Sequence, residues 1–194
     1  MEILDCRAFQ CPHPVVEVRK HLLAHPGQPL KVLVADEIAR ENVTRLAENQ
    51  GYQVSENSSE GGYALELTPA GETVTLAPEL PVSGKTVVFV ASDAMGNGSD
   101  ELGRLLMKNF LFTLTELVSP PDILLFVNAG VKLTSAGSDA LEALEKLACL
   151  GADIASCGLC LDYFHLKDQL AIGRVSNMLA IAETLRQAGR TIRP

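Results

Sequence analysis

The sequence predicts an α/β chain in two parts: an N-terminal two-layer α+β sandwich of order β-α-β-α-β-β, then an α/β domain with a mainly parallel sheet between helices. Three observations lead there. Strand-like and helix-like segments alternate through both halves. A stretch holding Pro69, Gly71, Pro78, Pro81 and Gly84 separates them. The later strands are short apolar runs, Thr86-Val87-Val88-Phe89-Val90-Ala91 and Ile123-Leu124-Leu125-Phe126-Val127, of the kind a buried parallel sheet uses. The boundaries are 1–68 for the first domain, 69–84 for a linker and 85–194 for the second domain.

Ile3 to Arg7 reads as a short strand. Pro12 to about Ala24 reads as a helix, closed by His25-Pro26-Gly27. Leu30-Lys31-Val32-Leu33-Val34 is strand-like, and Asp36 is placed to cap a helix from Glu37 to about Gln50, with Gly51 at its end. Tyr52–Ser55 and Tyr63–Leu67 alternate around Ser58-Ser59-Glu60-Gly61-Gly62, a hairpin signal. These two helices should cover one face of a four-stranded sheet. The linker holds at most a short strand, Thr73-Val74-Thr75-Leu76. In the second half, helices are expected over about Ser99–Leu114, Asp139–Leu150 and Asn177–Ala188, with strands at Thr86–Ala91, Ile123–Val127 and Asp153–Ser156 and a last edge strand at Arg190–Arg193.

Composition narrows the function classes. The 194 residues are 47% hydrophobic and 21% charged, enough apolar surface to fill cores, so wholesale disorder is excluded. A net charge of −8 argues against nucleic acid or an anionic membrane surface as partner. The acidic start, Met1-Glu2-Ile3-Leu4-Asp5, lacks the apolar region of a signal peptide, and no run approaches a membrane span. A cytoplasmic protein with mostly reduced thiols is the expectation. Five cysteines then read as chemistry or packing rather than a disulfide framework.

Cys11-Pro12-His13-Pro14 is the motif around which the first half is organised. Proline suits the first turn of a helix, where N–H groups have no intrahelical partner. Taking Pro12 as the first helical residue puts Cys11 at the cap and Pro14 third, so that only His13 keeps a free N–H toward the sulfur. A thiolate there would sit at the positive end of the helix dipole and be activated. The plainer alternative is a proline-started helix whose cap happens to be cysteine.

The second half offers Cys157-x-x-Cys160, a spacing that suits a redox pair, half a zinc site, or a reactive thiol with a resolving partner; two packing cysteines are the structural alternative. Cys157 follows its strand directly and is favoured over Cys160 as the reactive thiol. Three loops leave the carboxyl ends of the parallel strands, where ligands gather in such sheets: 92–99, 128–132 and the cysteine loop. Gly96-Asn97-Gly98 lacks the third glycine of a dinucleotide fingerprint and reads as a tight turn into a helix. Asp162, Tyr163 and His165 are close enough in sequence to tune or orient a thiolate, with ordinary loop and helix-surface residues the preferred reading, and Cys149 is read as helix packing. Zinc shared by Cys6, Cys11, Cys157 and Cys160 would need one rigid site across the linker. No cofactor and no metal is assigned.

Asp5-Cys6-Arg7-Ala8-Phe9-Gln10-Cys11-Pro12-His13-Pro14 resembles the TusA/SirA family of small sulfur carriers, matching its Cys-Pro-x-Pro motif and upstream Leu-Asp. The resemblance implies that Cys11 carries sulfur as a persulfide, and that no family role falls on Cys6 or His13. The second half resembles the DsrE-like family from Thr86 through Asn128-Ala129-Gly130-Val131-Lys132-Leu133 to Cys157-Gly158-Leu159-Cys160, which implies oligomerisation and, in some members, sulfur transfer through a cysteine. The order of the two domains is similar to the YedF family, described as sulfurtransferase-like and linked to selenium metabolism. The implied function is a sulfur carrier holding a persulfide, or its selenium analogue, on Cys11. It would pass its cargo by thiol exchange between donor and acceptor proteins, with Cys157 as acceptor and Cys160 resolving it. The alternatives are a thiol-disulfide oxidoreductase centred on the cysteine pair and a regulatory or binding protein with structural thiols.

Overall fold

The structure is a computed structural model and describes residues 1–10, 12–59, 61–70 and 84–194. Most of the expected linker, with the strand expected at Thr73–Leu76, lies outside these residues, and so does Cys11. The chain divides into two units, Met1–Glu79 and Leu80–Pro194.

In the first unit the order is β1 (Glu2–Asp5), α1 (His13–Ala24), β2 (Leu30–Val34), α2 (Glu37–Asn49), β3 (Tyr52–Ser59) and β4 (Gly62–Pro69). The sheet order is β1-β2-β4-β3, with β1 parallel to β2 and the other pairs antiparallel. Alternation in β2 sends Leu30, Val32 and Val34 to the core, where they meet Val18 and Leu22 of α1 and Val43 and Ala47 of α2. Burying each such side chain stabilises the unit by about 1.5–3 kcal/mol before entropy is counted. Asp36 caps α2 as expected, its carboxylate accepting from the Ala39 N–H at 2.8 Å. The hairpin strands run longer than their alternation predicts. Ser58 and Ser59 still pair with Tyr63 and Gly62, because Gly61 and Gly62 take positive φ and close a short connection.

The second unit holds β5 (Thr86–Val90), α3 (Asp100–Leu114), β6 (Ile123–Phe126), a 3-10 turn over Asn128–Thr134, α4 (Leu141–Cys149), β7 (Asp153–Cys157), α5 (Gly158–Tyr163), β8 (Arg174–Ser176), α6 (Met178–Gln187) and β9 (Arg190–Ile192). All five strands pair in parallel in the order β8-β7-β6-β5-β9, with β9 on the edge. Central β6 is buried at every residue, which is why its sequence is unbroken Ile-Leu-Leu-Phe. One face packs on α3 and α4 through Met107, Leu111, Leu144 and Leu147; the other packs on α6 through Ile181. The fold is thus a mixed sheet under two helices, followed by a parallel sheet between helices.

Two elements escaped the sequence reading. Residues after Cys157 form a six-residue helix, α5, too short to show a period; β8 is three residues long and mostly exposed. Cys149 is corrected: it is exposed, because α4 buries Leu144 and Leu147 and position 149 lies about 200° round the helix from Leu147.

Candidate functional site

Around the first motif, α1 starts one residue later than expected. Pro12 stands at the cap position with φ −95° and ψ 1°, His13 is the first helical residue and Pro14, buried, the second. The His13 N–H donates to the Gln10 carbonyl at 3.1 Å, closing a turn ahead of the helix; the sulfur expected to face it, that of Cys11, lies outside the described residues. His13 is exposed and stacks on Phe9, ring centroids 6.0 Å apart and nearly parallel. Upstream, Arg7 forks onto Asp5 through Nε at 2.9 Å and Nη2 at 2.6 Å. With the Arg7 N–H also donating to it, the Asp5 carboxyl is held down at about 2.

Cys6 is 1% exposed, and its N–H donates to the Leu33 carbonyl at 2.8 Å. Burial first, then the charges of Glu17 and Asp5, push its thiol up to about 11. Closed off and protonated at neutral pH, it offers no nucleophile.

In the second unit the three loops do converge at the carboxyl ends of β5, β6 and β7. The Val127 N–H donates to the Val90 carbonyl at 3.0 Å, and Lys132 Nζ reaches the Asp93 carboxylate at 3.3 Å, tying the second loop to the first. The Asn128 N–H donates to Cys160 Sγ at 3.1 Å, tying the second loop to the third. Asn128 turns at φ 49°, a left-handed conformation that asparagine tolerates better than most residues. Below them the Thr134 hydroxyl donates to the Val131 carbonyl, and lies 2.8 Å from the buried Ser156 hydroxyl. Having one proton each, Ser156 is the donor of that pair.

Cys157 ends β7 and stands at the cap position of α5, 1% exposed; Cys160, one turn on, is half-buried. The two thiols are within hydrogen-bond reach, and both are free. Burial raises the Cys160 thiol, the Asn128 N–H opposes that rise, and the neighbouring Cys157 adds to it. Asp162 pairs with Lys167 at 3.1 Å, and Tyr163 lies 76% exposed, edge-on to Phe164. Beside the loops, a cleft of about 660 Å³ runs between α3 and the residues that follow β6, lined by Asp93, Arg104, Lys108, Lys132 and Asp139 among others. The sequence located the loops but not Asn128 or the Asp93–Lys132 pair; an asparagine directly after an apolar strand was the available signal.

Residues 2–68 match the family model of sulfurtransferase TusA. A SirA-like protein from Desulfitobacterium hafniense is 32% identical, covering 37% of this chain and 100% of its own, with a TM-score of 0.34. The ychN protein of E. coli is 18% identical over 57% of this chain and 99% of its own, TM-score 0.46. A protein of unknown function from Methanobacterium thermoautotrophicum is 21% identical over 56% of this chain and 97% of its own, TM-score 0.43. No curated protein matches the chain. Over residues 2–68 the chain is therefore similar to TusA/SirA-type sulfurtransferases.

Proposed function

From the TusA match over residues 2–68, we propose that this protein carries sulfane sulfur on Cys11. That match is the observation that carries the reading, and the closed state of Cys6 supports it. Of the two thiols that the sequence places in residues 1–70, Cys6 is buried and its ionisation suppressed, which supports giving the role to Cys11. The Cys11 thiolate attacks the outer sulfur of a donor persulfide R–S–SH, forming Cys11–S–SH and releasing R–S⁻. An acceptor thiolate then attacks that outer sulfur and returns the Cys11 thiolate.

The Cys157/Cys160 pair, of the same or another chain, is the proposed next station. Exposure favours Cys160 as the point of entry over Cys157. Attack by Cys157 on the inner sulfur of Cys160–S–SH forms the disulfide and expels HS⁻, so the pair is a place to discharge cargo. Selenium in the outer position follows the same steps. The partners are cytoplasmic donor and acceptor proteins and further copies of this chain through its second unit. There Leu102, Leu105 and Leu106 lie 53%, 54% and 41% exposed on α3. Among the described residues no helix is long and apolar enough to cross a membrane.

The test is to load the protein with a sulfane-sulfur donor, or with its selenium counterpart R–S–SeH, and map adducts by mass spectrometry in wild type, Cys11→Ala, Cys157→Ala and Cys160→Ala. An adduct on Cys11 in wild type is expected, and on Cys160 only while Cys11 is present. No Cys11 adduct with any donor sinks the carrier reading. The reach between Cys157 and Cys160 favours a second reading, a thiol-disulfide oxidoreductase. It predicts disulfide turnover that survives Cys11→Ala and disappears in Cys160→Ala.

A further inference from the structure

The geometry points to a metal site that is independent of the thiols: Glu2, His21 and His25 form a three-ligand site for a divalent transition-metal ion of the zinc class. His21 lies in the last turn of α1 and His25 stands at its C-cap, four residues on, which sets the two imidazoles side by side. Their ring centroids are 4.8 Å apart. The third donor comes from another element. Parallel pairing of β1 with β2 sets Glu2 beside Leu30, and its Oε2 lies 3.7 Å from His21 Nε2, outside hydrogen-bond range. The ligating atoms of all three residues lie within 4.8 Å of one another.

Ligands about 2.1 Å from a tetrahedral ion stand roughly 3.4 Å apart, so closure requires movements of about 1 Å. The exposed side chains supply them. Glu2 is 63% exposed and His25 is open, while His21, at 13%, is the fixed point. The backbone beneath is held: the His25 N–H donates to the His21 carbonyl at 2.9 Å, the Gln28 N–H to the His25 carbonyl at 3.3 Å, and the Gly27 N–H to Tyr52 Oη at 2.9 Å. The ion would sit at the C-terminal end of α1, where unpaired carbonyls favour positive charge. Two imidazoles and one carboxylate suit zinc or nickel, and three protein ligands leave a position for water. The bound ion would join the start of β1 to the end of α1, about 18 Å along the helix from the Cys-Pro-x-Pro motif.

Full-length protein, alkylated so that accessible thiols cannot bind the ion, is titrated with Zn²⁺ by calorimetry at neutral pH. One zinc per chain is expected, bound at least tenfold more weakly by His25→Gln and by Glu2→Gln and unchanged in His165→Gln. Both test residues are exposed, so their replacement leaves the core intact; circular dichroism of each variant verifies this. Absence of saturable binding, or equal affinity in wild type, His25→Gln and Glu2→Gln, overturns the assignment.

Discussion

Gly130→Ala tests whether the loop cluster of the second unit depends on close backbone contact. A Cβ at Gly130 would stand 2.4 Å from the Val90 carbonyl oxygen, 3.1 Å from its carbon and 3.4 Å from Val90 Cγ1. The obstacle is backbone of β5, a strand paired on both sides, so it cannot swing away as a side-chain tip would. Overpacking of this kind costs about 2 kcal/mol, which for a domain of this size lowers Tm by roughly 10 °C. The loop, being the freer partner, should move, and it carries Asn128 away from Cys160. Losing that N–H removes the one influence that lowers the Cys160 thiol, so its pKa rises. Gly98→Ala is the control, since nothing lies within 4 Å of a Cβ there and its φ is not left-handed. The assay combines thermal unfolding with the rate of Cys160 alkylation followed by peptide mass spectrometry. Gly130→Ala should melt lower and alkylate more slowly than Gly98→Ala. Equal melting temperatures in the two variants would refute the close-contact argument, and a lower melting temperature without slower alkylation would refute the link to Cys160.

Arg7→Ala should return the Asp5 carboxyl from about 2 toward its ordinary 3.8, read from the carboxyl carbon in an NMR titration. Because the folded-state value is depressed, the pair's contribution is present above 3.8 and lost as pH falls through about 2; a flat Asp5 titration between wild type and variant contradicts the pairing. Thr134→Val strips the buried Ser156 hydroxyl of its acceptor and should cost about 1–3 kcal/mol in urea unfolding. The double variant Thr134→Val/Ser156→Ala should cost less than the two single changes added together, since it leaves no orphaned hydroxyl; simple additivity contradicts the shared bond.

The parts of this fold that announce themselves in the sequence are those where local chemistry and tertiary packing agree. Asp36 was legible as a cap because it precedes an amphipathic run, and its side chain accepts from the N–H three residues on; Ser99, read only as the start of a helix, caps α3 in the same way. The apolar runs of β5 and β6 were legible because both faces of the sheet are covered. What stayed hidden depends on residues distant in sequence. α5 is held by contacts to the strand before it and to the turn after β6, not by a period of its own. Asn128 acquires its role only because β6 lies beside β7 and delivers its N–H to Cys160. Glu2 meets His21 only through the pairing of β1 with β2. The Cys-Pro-x-Pro stretch was legible as a helix start, but the one-residue shift was not, because it is set by the turn in which the His13 N–H finds the Gln10 carbonyl.

The edge position of β9 bears on how the protein is made. The last strand in the chain pairs with β5, the first strand of its unit, and Lys85 accepts the N–H groups of Gly189 and Arg190 at that junction. During synthesis β5 therefore emerges long before its outer neighbour, and one flank of its backbone waits unpaired while the helices and strands between are translated. In the first unit the wait is shorter, since β2 gains its second neighbour, β4, as soon as α2 and β3 have been made. A ribosome should release an already folded N-terminal unit while the C-terminal one is still short of its final strand, the interval in which a chaperone has an exposed edge to shield.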